Sequence, residues 1–218
     1  MKNIIFDMGG VLVDLDRRRC AAAFAGIGFP QADAMLGVYG SSGVFGELEA
    51  GTIAPENFYD YIRRETGRDA LKDSEIAAAL NSFIVGLPVY KLQMLLDLRG
   101  RFRVYLLSNT NAVMMPYIRR TCFEQLPGLT FDDYFDRVFL SYEMGLVKPG
   151  EDIFLRMMDE GGIVPAESLF IDDGPANIDT AARLGFHTYL ASPEEDFRER
   201  LDDFFNIFQE CDPQPPAA

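Results

Sequence analysis

The amino-acid sequence predicts an α/β fold built around a parallel β-sheet. Short β-prone runs alternate along the chain with amphipathic stretches, and most of these runs end in glycine or polar residues. One long stretch that reads as helix interrupts the alternation near the N-terminus. Alternation of this kind predicts parallel βαβ units with right-handed crossovers, whose strand-end loops gather at one edge of the sheet.

Four runs carry the strand pattern clearly, and a fifth carries it more weakly. The first is Ile4 to Phe6, within KNIIFDMGG, which opens into a glycine pair as a buried strand opens into a tight loop. The others are RVYLLSNTN at 103–111, RVFLSYEMG at 137–145, SLFIDDGPAN at 168–177 and the weaker HTYLA at 187–191. Each of the first four therefore places polar or glycine residues at one edge of the predicted sheet.

The helices between these strands follow from amphipathic stretches. They are Tyr90 to Leu98, Ile153 to Glu160, and Asn177 to Leu184 with Gly185 as its C-cap. The sequence thus predicts an α/β core formed by residues 1–16 and 88–210. Residues 17–87 read instead as several helices, among them AAAFAG, ENFYDYIRRETG and DSEIAAALNSFIVG, and are predicted to form a helical cap over the strand-end loops. The Pro-rich tail 211–218 is predicted to be disordered.

Composition excludes several classes of protein. The formal net charge of −14 would repel a nucleic-acid backbone or an anionic membrane surface, so neither is an expected partner. Three widely spaced cysteines form neither a disulfide framework nor a zinc pattern, and with no signal peptide or membrane span evident they indicate a cytoplasmic protein. His187 is the only histidine, which rules out a His-rich metal site within one chain. Oligomeric state is left open.

Asp7 is the first candidate for chemistry. It directly follows the first predicted strand, so its carboxylate would project from the sheet edge where open α/β sheets bind ligands. Gly9 and Gly10 behind it would let the backbone approach a ligand or a metal closely. Taken alone, an aspartate in this position is more often a turn-former or a helix cap.

The second and third clusters supply hydrogen-bond donors and a cation. Ser108, Asn109 and Thr110 offer a hydroxyl, an amide and successive backbone N–H groups, which suit the oxygens of a phosphoryl group, although the same residues make a good turn or N-cap. Lys148, in GLVKPGEDIF with Pro149 after it, could neutralise a carboxylate and a phosphate together. A solvated surface lysine is the commoner alternative.

Asp172 and Asp173 are the most informative pair. Two adjacent carboxylates at the end of an apolar strand are electrostatically costly unless a cation or hydrogen-bond donors compensate them. Oxygen-only ligands favour Mg2+, which binds through one or two carboxylates together with a substrate phosphate. An Asx-type turn opened by Asp173 at DDGP is the competing interpretation.

Together these clusters resemble the four motifs of the haloacid dehalogenase (HAD) superfamily. FDMGGVL resembles motif I, LLSNTN motif II, SYEMGLVKPGEDIF motif III, and LFIDDGPAN motif IV. FGELEAGTIAPENFYDYI resembles the C1-type cap, and the Asp-x-Gly and Ser-Asn-Thr-Asn patterns resemble the branch of bacterial α-D-glucose-1-phosphate phosphatases. The resemblance implies a Rossmann-like sheet in the strand order 54123, and a phosphatase acting on a small phosphorylated metabolite.

The resemblance also implies roles for individual residues. Asp7 would attack phosphorus to give an aspartyl-phosphate that water hydrolyses. Lys148 would offset the repulsion between this nucleophile and an anionic substrate. Mg2+ would be held by Asp7, the Gly9 carbonyl oxygen and Asp172, with Asp173 assisting. The substrate-binding residues would be Ser108, Asn109, Gly10 and Asn111.

Motif I departs from the usual pattern of the superfamily's phosphatases. Most of them read Asp-x-Asp, with the second aspartate as general acid, whereas this chain has Gly9. Loss of a general acid typically costs about 10^2- to 10^4-fold in rate, so a sugar 1-phosphate, with its more acidic anomeric hydroxyl, is the favoured substrate. Asp14, Asp16 and Glu47 are candidate replacements, although capping the first cap helix is the favoured interpretation for Asp14.

Three alternatives remain beside the phosphatase. A haloacid dehalogenase would share Asp7 and Lys148 but attacks carbon, needs no metal and has a different motif IV. A phosphomutase depends on the carboxylate that Gly9 lacks. A catalytically weak relative that binds a phosphorylated ligand or a protein partner is supported by the missing acid, while the retained nucleophile counts against it.

Overall fold

A five-stranded parallel sheet forms the centre of the molecule in the computed structural model, which describes residues 1–37, 40–192, 196 and 201. The strand order is β5-β4-β1-β6-β7, and every neighbouring pair is parallel. The strands are β1 Asn3–Phe6, β4 Arg103–Ser108, β5 Arg137–Leu140, β6 Ser168–Asp172 and β7 His187–Leu190. The predicted fold class is confirmed, and this order is the 54123 order implied by the resemblance.

The central strand β1 is buried along its whole length, because it pairs with β4 on one side and β6 on the other. Ile5, for example, lies opposite Tyr105 of β4 and Phe170 of β6. The backbone N–H of Asp7 donates to the Ile171 carbonyl over 2.8 Å, which extends this pairing one residue beyond β1. The position of Asp7 is therefore fixed by the sheet itself.

Three long helices cover the sheet where the amphipathic stretches predicted them. They are α6 Val89–Arg99, α9 Glu151–Gly161 and α10 Pro175–Arg183. Gly185 has a φ of 90°, as expected just beyond a helix C-terminus, although the C-cap itself is Leu184. Short helices that the sequence had not indicated are α7 Met115–Ile118 and α8 Ser141–Met144, so the strand predicted from Arg137 ends at Leu140.

The described residues from 17 to 81, between β1 and α6, form five helices. They are α1 Arg17–Gly26, α2 Ala32–Met35, α3 Gly43–Glu49, α4 Pro55–Thr66 and α5 Asp73–Asn81. Aromatic packing holds them together: the Phe24 ring contacts those of Phe29, Phe45 and Phe58 at centroid distances of 5.1 to 6.4 Å. None of the helices in the described part of the chain has the length and apolar character that a membrane span requires.

A two-stranded antiparallel ladder lies where the chain enters and leaves this helical segment. β2 Asp14–Leu15 pairs with β3 Ile84–Gly86, and the Asp16 backbone N–H donates to the Phe83 carbonyl over 2.8 Å. The expectation that DSEIAAALNSFIVG is helical is therefore wrong at its end, where β-branched residues pair with β2 instead. We infer that the cap spans 17–87, with β2 directly before it and β3 at its C-terminal end.

The cap also contacts the core away from the ladder. The Ser141 hydroxyl at the start of α8 donates to the Glu49 carbonyl at the end of α3 over 2.6 Å. Gly51, with φ of 68°, lies so close to α8 that a β-carbon there would stand 2.1 Å from the Tyr142 carbonyl oxygen. One apolar cluster runs without a break from the cap helices to one face of the sheet. Of the predicted core, residues 193–210 lie outside the described residues except for 196 and 201, and the tail predicted at 211–218 lies wholly outside them.

The first cap helix is capped by Asp16 and not by Asp14. The Asp16 carboxylate accepts from the Arg19 backbone N–H over 2.9 Å, which satisfies one of the free donors at the start of α1. Asp14 instead pairs with the Lys91 ammonium at 3.3 Å. The interpretation of Asp14 as the cap was wrong because α1 begins at Arg17, immediately after Asp16.

Replacing Asp16 tests this assignment. Asp16→Ala removes the capping oxygen, so the free energy of unfolding should fall by about 1 kcal/mol. Asp16→Ser keeps an acceptor at the same position and should stay within a few tenths of a kcal/mol of wild type. Urea denaturation followed by circular dichroism measures both variants. Equal stability of wild type and Asp16→Ala would show that Asp16 does not cap α1.

Candidate active site

An ammonium group between two carboxylates forms the centre of the candidate site. The Lys148 Nζ lies 2.8 Å from Asp7 Oδ1 and 2.6 Å from Asp172 Oδ2. All three side chains are buried or nearly so, and Asp172 has no exposed surface. The structure thus brings together the predicted nucleophile, the predicted cation and a predicted metal ligand, which come from three separate parts of the sequence.

Asp172 is held on every side. Its Oδ1 accepts from the Gly174 backbone N–H over 2.7 Å and from the Asn177 side-chain amide over 2.9 Å, while Oδ2 accepts from Lys148. Gly174 permits this arrangement, because a β-carbon there would stand 2.8 Å from the Asn177 amide nitrogen. Asn177 in the first turn of α10 was not identified from the sequence as a site residue. Its position five residues after Asp172 is the only signal.

Asp173 packs against the glycine pair of the first loop. Gly10 has φ of 75°, and a β-carbon there would stand 2.1 Å from the Asp173 Oδ2. Oxygen atoms of Asp7, Asp172 and Asp173 lie within 4.8 Å of one another, as ligands of a single cation do. Gly10 is therefore needed both for its backbone conformation and for the space that this carboxylate occupies.

Asn109 fixes the backbone of Lys148. Its side-chain amide donates to the Lys148 carbonyl over 2.9 Å, and its side-chain oxygen accepts from the Lys148 backbone N–H over 2.9 Å. These paired bonds join the loop after β4 to the loop that carries the lysine. The Asn109 side-chain amide, which was expected to bind phosphoryl oxygens, is thus largely engaged in positioning Lys148. The residue still lines the cleft beside Lys148.

The other residues of motif II are buried around this loop. Ser108 ends β4, and its hydroxyl lies 3.4 Å from the Asn109 carbonyl oxygen. The Thr110 backbone N–H donates to the Ser141 hydroxyl over 3.0 Å. The Asn111 side-chain oxygen accepts from two backbone N–H groups, those of Val113 and Met114, so this side chain holds the turn before α7.

Burial and charge together shift the pKa values in the site. Burial raises the pKa of Asp7 to about 7; Lys148 opposes this shift, and the negative charge of Asp172 adds to it. Burial also raises the pKa of Asp173 to about 6, with Asp172 contributing. Burial alone would lower the pKa of Lys148, but attraction to Asp172 and Asp7 outweighs it, and the pKa is raised. Lys148 is therefore a fixed positive charge.

The cleft above these residues has walls from both the core and the cap. The core side includes Asp7, Gly9, Lys148, Asp173 and Asn177, and the cap side includes Gly37, Gly40, Glu49 and Phe83. Glu49 of α3 was not proposed from the sequence, where Glu47 was the cap candidate. Glu47 is exposed on α3, and its carbonyl accepts from Thr52.

The Leu15 side chain lies close to Gly9, and its tip would have to shift to admit a side chain there. A β-carbon at Gly9 would stand 2.8 Å from the Leu15 Cδ1, so Leu15 of β2 fills the space beside it. Neither of the two aspartates proposed to replace the missing carboxylate is among the residues that line the cleft: Asp14 pairs with Lys91, and Asp16 caps α1. No acidic side chain of the loop after β1 thus replaces the missing one.

Comparison with known proteins places this geometry in a family. The haloacid dehalogenase-like hydrolase family matches residues 1–185. A D-ribitol-5-phosphate phosphatase from Bacteroides thetaiotaomicron is 37% identical over 206 residues, which cover 94% of this chain and 99% of that protein. The comparisons therefore include a curated phosphatase of nearly the same length.

Solved structures agree with this similarity. A HAD family enzyme from Bacteroides thetaiotaomicron, solved as a mutant in complex with magnesium and inorganic phosphate, is 39% identical with a TM-score of 0.88. The match covers 92% of this chain and 98% of that one. A predicted HAD-like family hydrolase from Porphyromonas gingivalis is 38% identical with a TM-score of 0.86, over 94% and 98% of the two chains.

These similarities confirm the broader predictions and leave the narrower one untested. The superfamily and the enzyme class, a hydrolase of the phosphatase type, are confirmed. The narrower likeness to the α-D-glucose-1-phosphate phosphatases stays a prediction. With its motifs converging on one cleft and its sequence matched over most of its length, this chain belongs to the haloacid dehalogenase-like hydrolase family.

Proposed function

We propose that this protein is a Mg2+-dependent phosphatase that removes phosphate from a small phosphorylated polyol or sugar. The observation that carries the proposal is the contact of Lys148 with both Asp7 and Asp172 at the floor of a cleft. The Asp7 carboxylate is fixed at a strand end, is partly exposed and lies beside a buried cation. A carboxylate in this setting is suited to attack an anionic substrate.

The donor set fits Mg2+. Three carboxylates and one ammonium leave a formal charge of −2 at the floor of the cleft, which a divalent cation would cancel. We assign Asp7, Asp172, Asp173 and the Gly9 carbonyl oxygen to the ion, since oxygen ligands with several waters are typical of Mg2+. When bound, the ion would place positive charge next to a phosphoryl oxygen and so favour attack by an anion.

The reaction proceeds through Asp7. One oxygen of the Asp7 carboxylate forms a bond to phosphorus while the bond from phosphorus to the leaving oxygen breaks, and water then hydrolyses the resulting aspartyl-phosphate. Lys148 holds a positive charge beside the attacking group throughout. The Ser108 hydroxyl is assigned to the phosphoryl oxygens, with backbone N–H groups of the loop after β4 other than that of Thr110, which donates to Ser141. Asn109 positions Lys148, and Asn111 holds the turn.

Two substrate classes have support. Similarity to a D-ribitol-5-phosphate phosphatase, at 37% identity over nearly the whole chain, supports a pentitol phosphate. Gly9, which lacks the usual acid, supports a hexose 1-phosphate, whose leaving group needs less protonation. We propose the polyol phosphate first. Its leaving group needs an acid, and the cleft contains an acidic cap residue, Glu49, although the loop after β1 offers none.

Phosphate release from p-nitrophenyl phosphate tests the activity. Wild type should release phosphate only when Mg2+ is present, and Asp7→Asn should fall to the background of a protein-free reaction because the nucleophile is gone. Asp172→Ala should lose the response to Mg2+ with its ligand. If wild type and Asp7→Asn are equally inactive, the protein is instead a binder of phosphorylated ligands with no catalytic role.

Replacing Gly10 tests the metal assignment without removing a ligand. Gly10→Ala would bring a methyl group against the Asp173 carboxylate and strain a backbone with φ of 75°, so affinity for Mg2+ should fall about 10- to 100-fold. Isothermal titration calorimetry measures this affinity. Gly86→Ala is the matched control, since no atom lies within 4 Å of the added group. Unchanged affinity in Gly10→Ala would remove Asp173 from the metal site.

A direct comparison of two substrates separates the two classes. D-ribitol 5-phosphate should give the higher kcat/KM, and α-D-glucose 1-phosphate the lower, with phosphate release measured under identical Mg2+ concentrations. A reversed order would favour the hexose 1-phosphate that Gly9 suggests. Chloride release from 2-chloropropionate should stay at background, since the dehalogenase alternative attacks carbon.

A further inference from the structure

Gly9 raises the question of which group gives a proton to the leaving oxygen. Alcohols of polyols and of most sugar positions are poor leaving groups unless they are protonated as the bond to phosphorus breaks. The loop after β1 supplies no carboxylate for this purpose, because position 9 is glycine, Asp14 pairs with Lys91 and Asp16 caps α1. A donor, where one exists, has to come from another wall of the cleft.

Glu49 lies in the required wall. Of the described cap residues that line the cleft, Gly37, Gly40, Glu49 and Phe83, it is the only ionisable one. Glu49 also lines a second hollow, which borders the loop after β4 and is lined by Gly9, Leu15 and Asn109 as well. Glu49 therefore lines the same cleft as Asp7, Lys148 and Asp173 of the core side, and it lines the hollow beside Gly9 as well.

The position of Glu49 is fixed at both its backbone and its side chain. The Ser41 hydroxyl lies 2.7 Å from Glu49 Oε1, and the Ser41 backbone N–H donates to Oε2 over 3.1 Å. The Glu49 carbonyl accepts from Ser141 of the core. Burial raises the pKa of Glu49, although the two bonds from Ser41 oppose the shift. A neutral carboxyl group is thereby favoured more than it would be in water.

We propose that Glu49 is the general acid of the reaction and gives its proton to the leaving oxygen, in the role that an aspartate at Gly9 would otherwise fill. This inference rests on the proposed phosphatase function. It assigns the proton donor to the cap, whereas the nucleophile and the metal ligands belong to the core. Glu49 would touch the leaving group itself and so be a catalytic residue.

The proton balance closes over the two half-reactions. In the first, Asp7 bonds to phosphorus, the bond from phosphorus to the leaving oxygen breaks, and this oxygen takes the Glu49 proton. The products are a free alcohol, an aspartyl-phosphate at Asp7 and a Glu49 carboxylate. In the second, water attacks phosphorus, the Glu49 carboxylate takes one proton from this water, and the Asp7 carboxylate and inorganic phosphate are released. Glu49 ends protonated, ready for another turnover.

A structural role is the competing interpretation of the same contacts. The two hydrogen bonds from Ser41 tie the chain before α3 to the end of that helix, and Glu49 could serve only to hold this loop. The two roles differ in how the leaving group matters. Loss of an acid hurts substrates with poor leaving groups far more than those with good ones, whereas a disordered loop affects both alike.

Glu49→Gln, compared on two leaving groups, distinguishes these roles. The first substrate is p-nitrophenyl phosphate, whose phenolate leaves without a proton. The second is whichever wild type hydrolyses fastest among D-ribitol 5-phosphate, glucose 6-phosphate and glycerol phosphate. We expect kcat/KM to fall about 10^2- to 10^4-fold on the second, and less than about tenfold on the first.

Two further variants complete the experiment. Glu47→Gln changes an exposed residue on the same helix and should match wild type on both substrates. Glu49→Asp keeps the acid on a shorter side chain and should recover part of the activity that Glu49→Gln loses on the alkyl phosphate. Activity on p-nitrophenyl phosphate doubles as the measure that each variant has folded around its active site.

Each outcome decides between the proposals. Equal losses on both substrates, or no loss on either, overturn the assignment of Glu49 as the acid while the phosphatase function stands. Absence of phosphate release by wild type from every substrate overturns the phosphatase function and this inference with it. A loss confined to the alkyl phosphate supports both.

Discussion

The buried ammonium of Lys148, lying between the carboxylates of Asp7 and Asp172, is the contact on which the site depends. Removing three charged groups from water is costly, and their mutual attraction compensates only if the geometry is held closely. Separate parts of the chain hold it. The sheet fixes Asp7, the paired bonds from Asn109 fix the Lys148 backbone, and Asn177 with Gly174 fixes Asp172. The remaining negative charge makes a divalent cation a natural complement.

Much of this arrangement could be predicted from the sequence, because parallel strands end at the same edge of a sheet. Asp7 and Asp172 each follow or end a buried strand, so their meeting required only that β1 and β6 be neighbours. Lys148 is different, since it lies in a loop beyond the short helix α8. Its motif indicated the residue, whereas the bonds from Asn109 that direct it inward depend on tertiary contacts that the sequence pattern does not contain.

Helix phase limited what could be predicted of the cap. Residues two positions apart on a helix are separated by about 200° around its axis, so Glu47 and Glu49 of α3 lie on nearly opposite sides of the helix. Which of them faces the cleft depends on how α3 docks on the core, and this is set by contacts such as that of Ser141 with the Glu49 carbonyl. The same difficulty affected Asp14 and Asp16, because a boundary shift of two residues changes which one caps α1.

Leu15 connects the missing carboxylate to the cap. It belongs to β2, the strand that leads into the helical segment, and its side chain takes the space beside Gly9. A side chain at position 9 would therefore require the Leu15 side chain to shift. With the acid carried by Glu49, the proton donor reaches the cleft only while α3 is docked on α8 through Ser141. Proton transfer would then be coupled to docking of the cap.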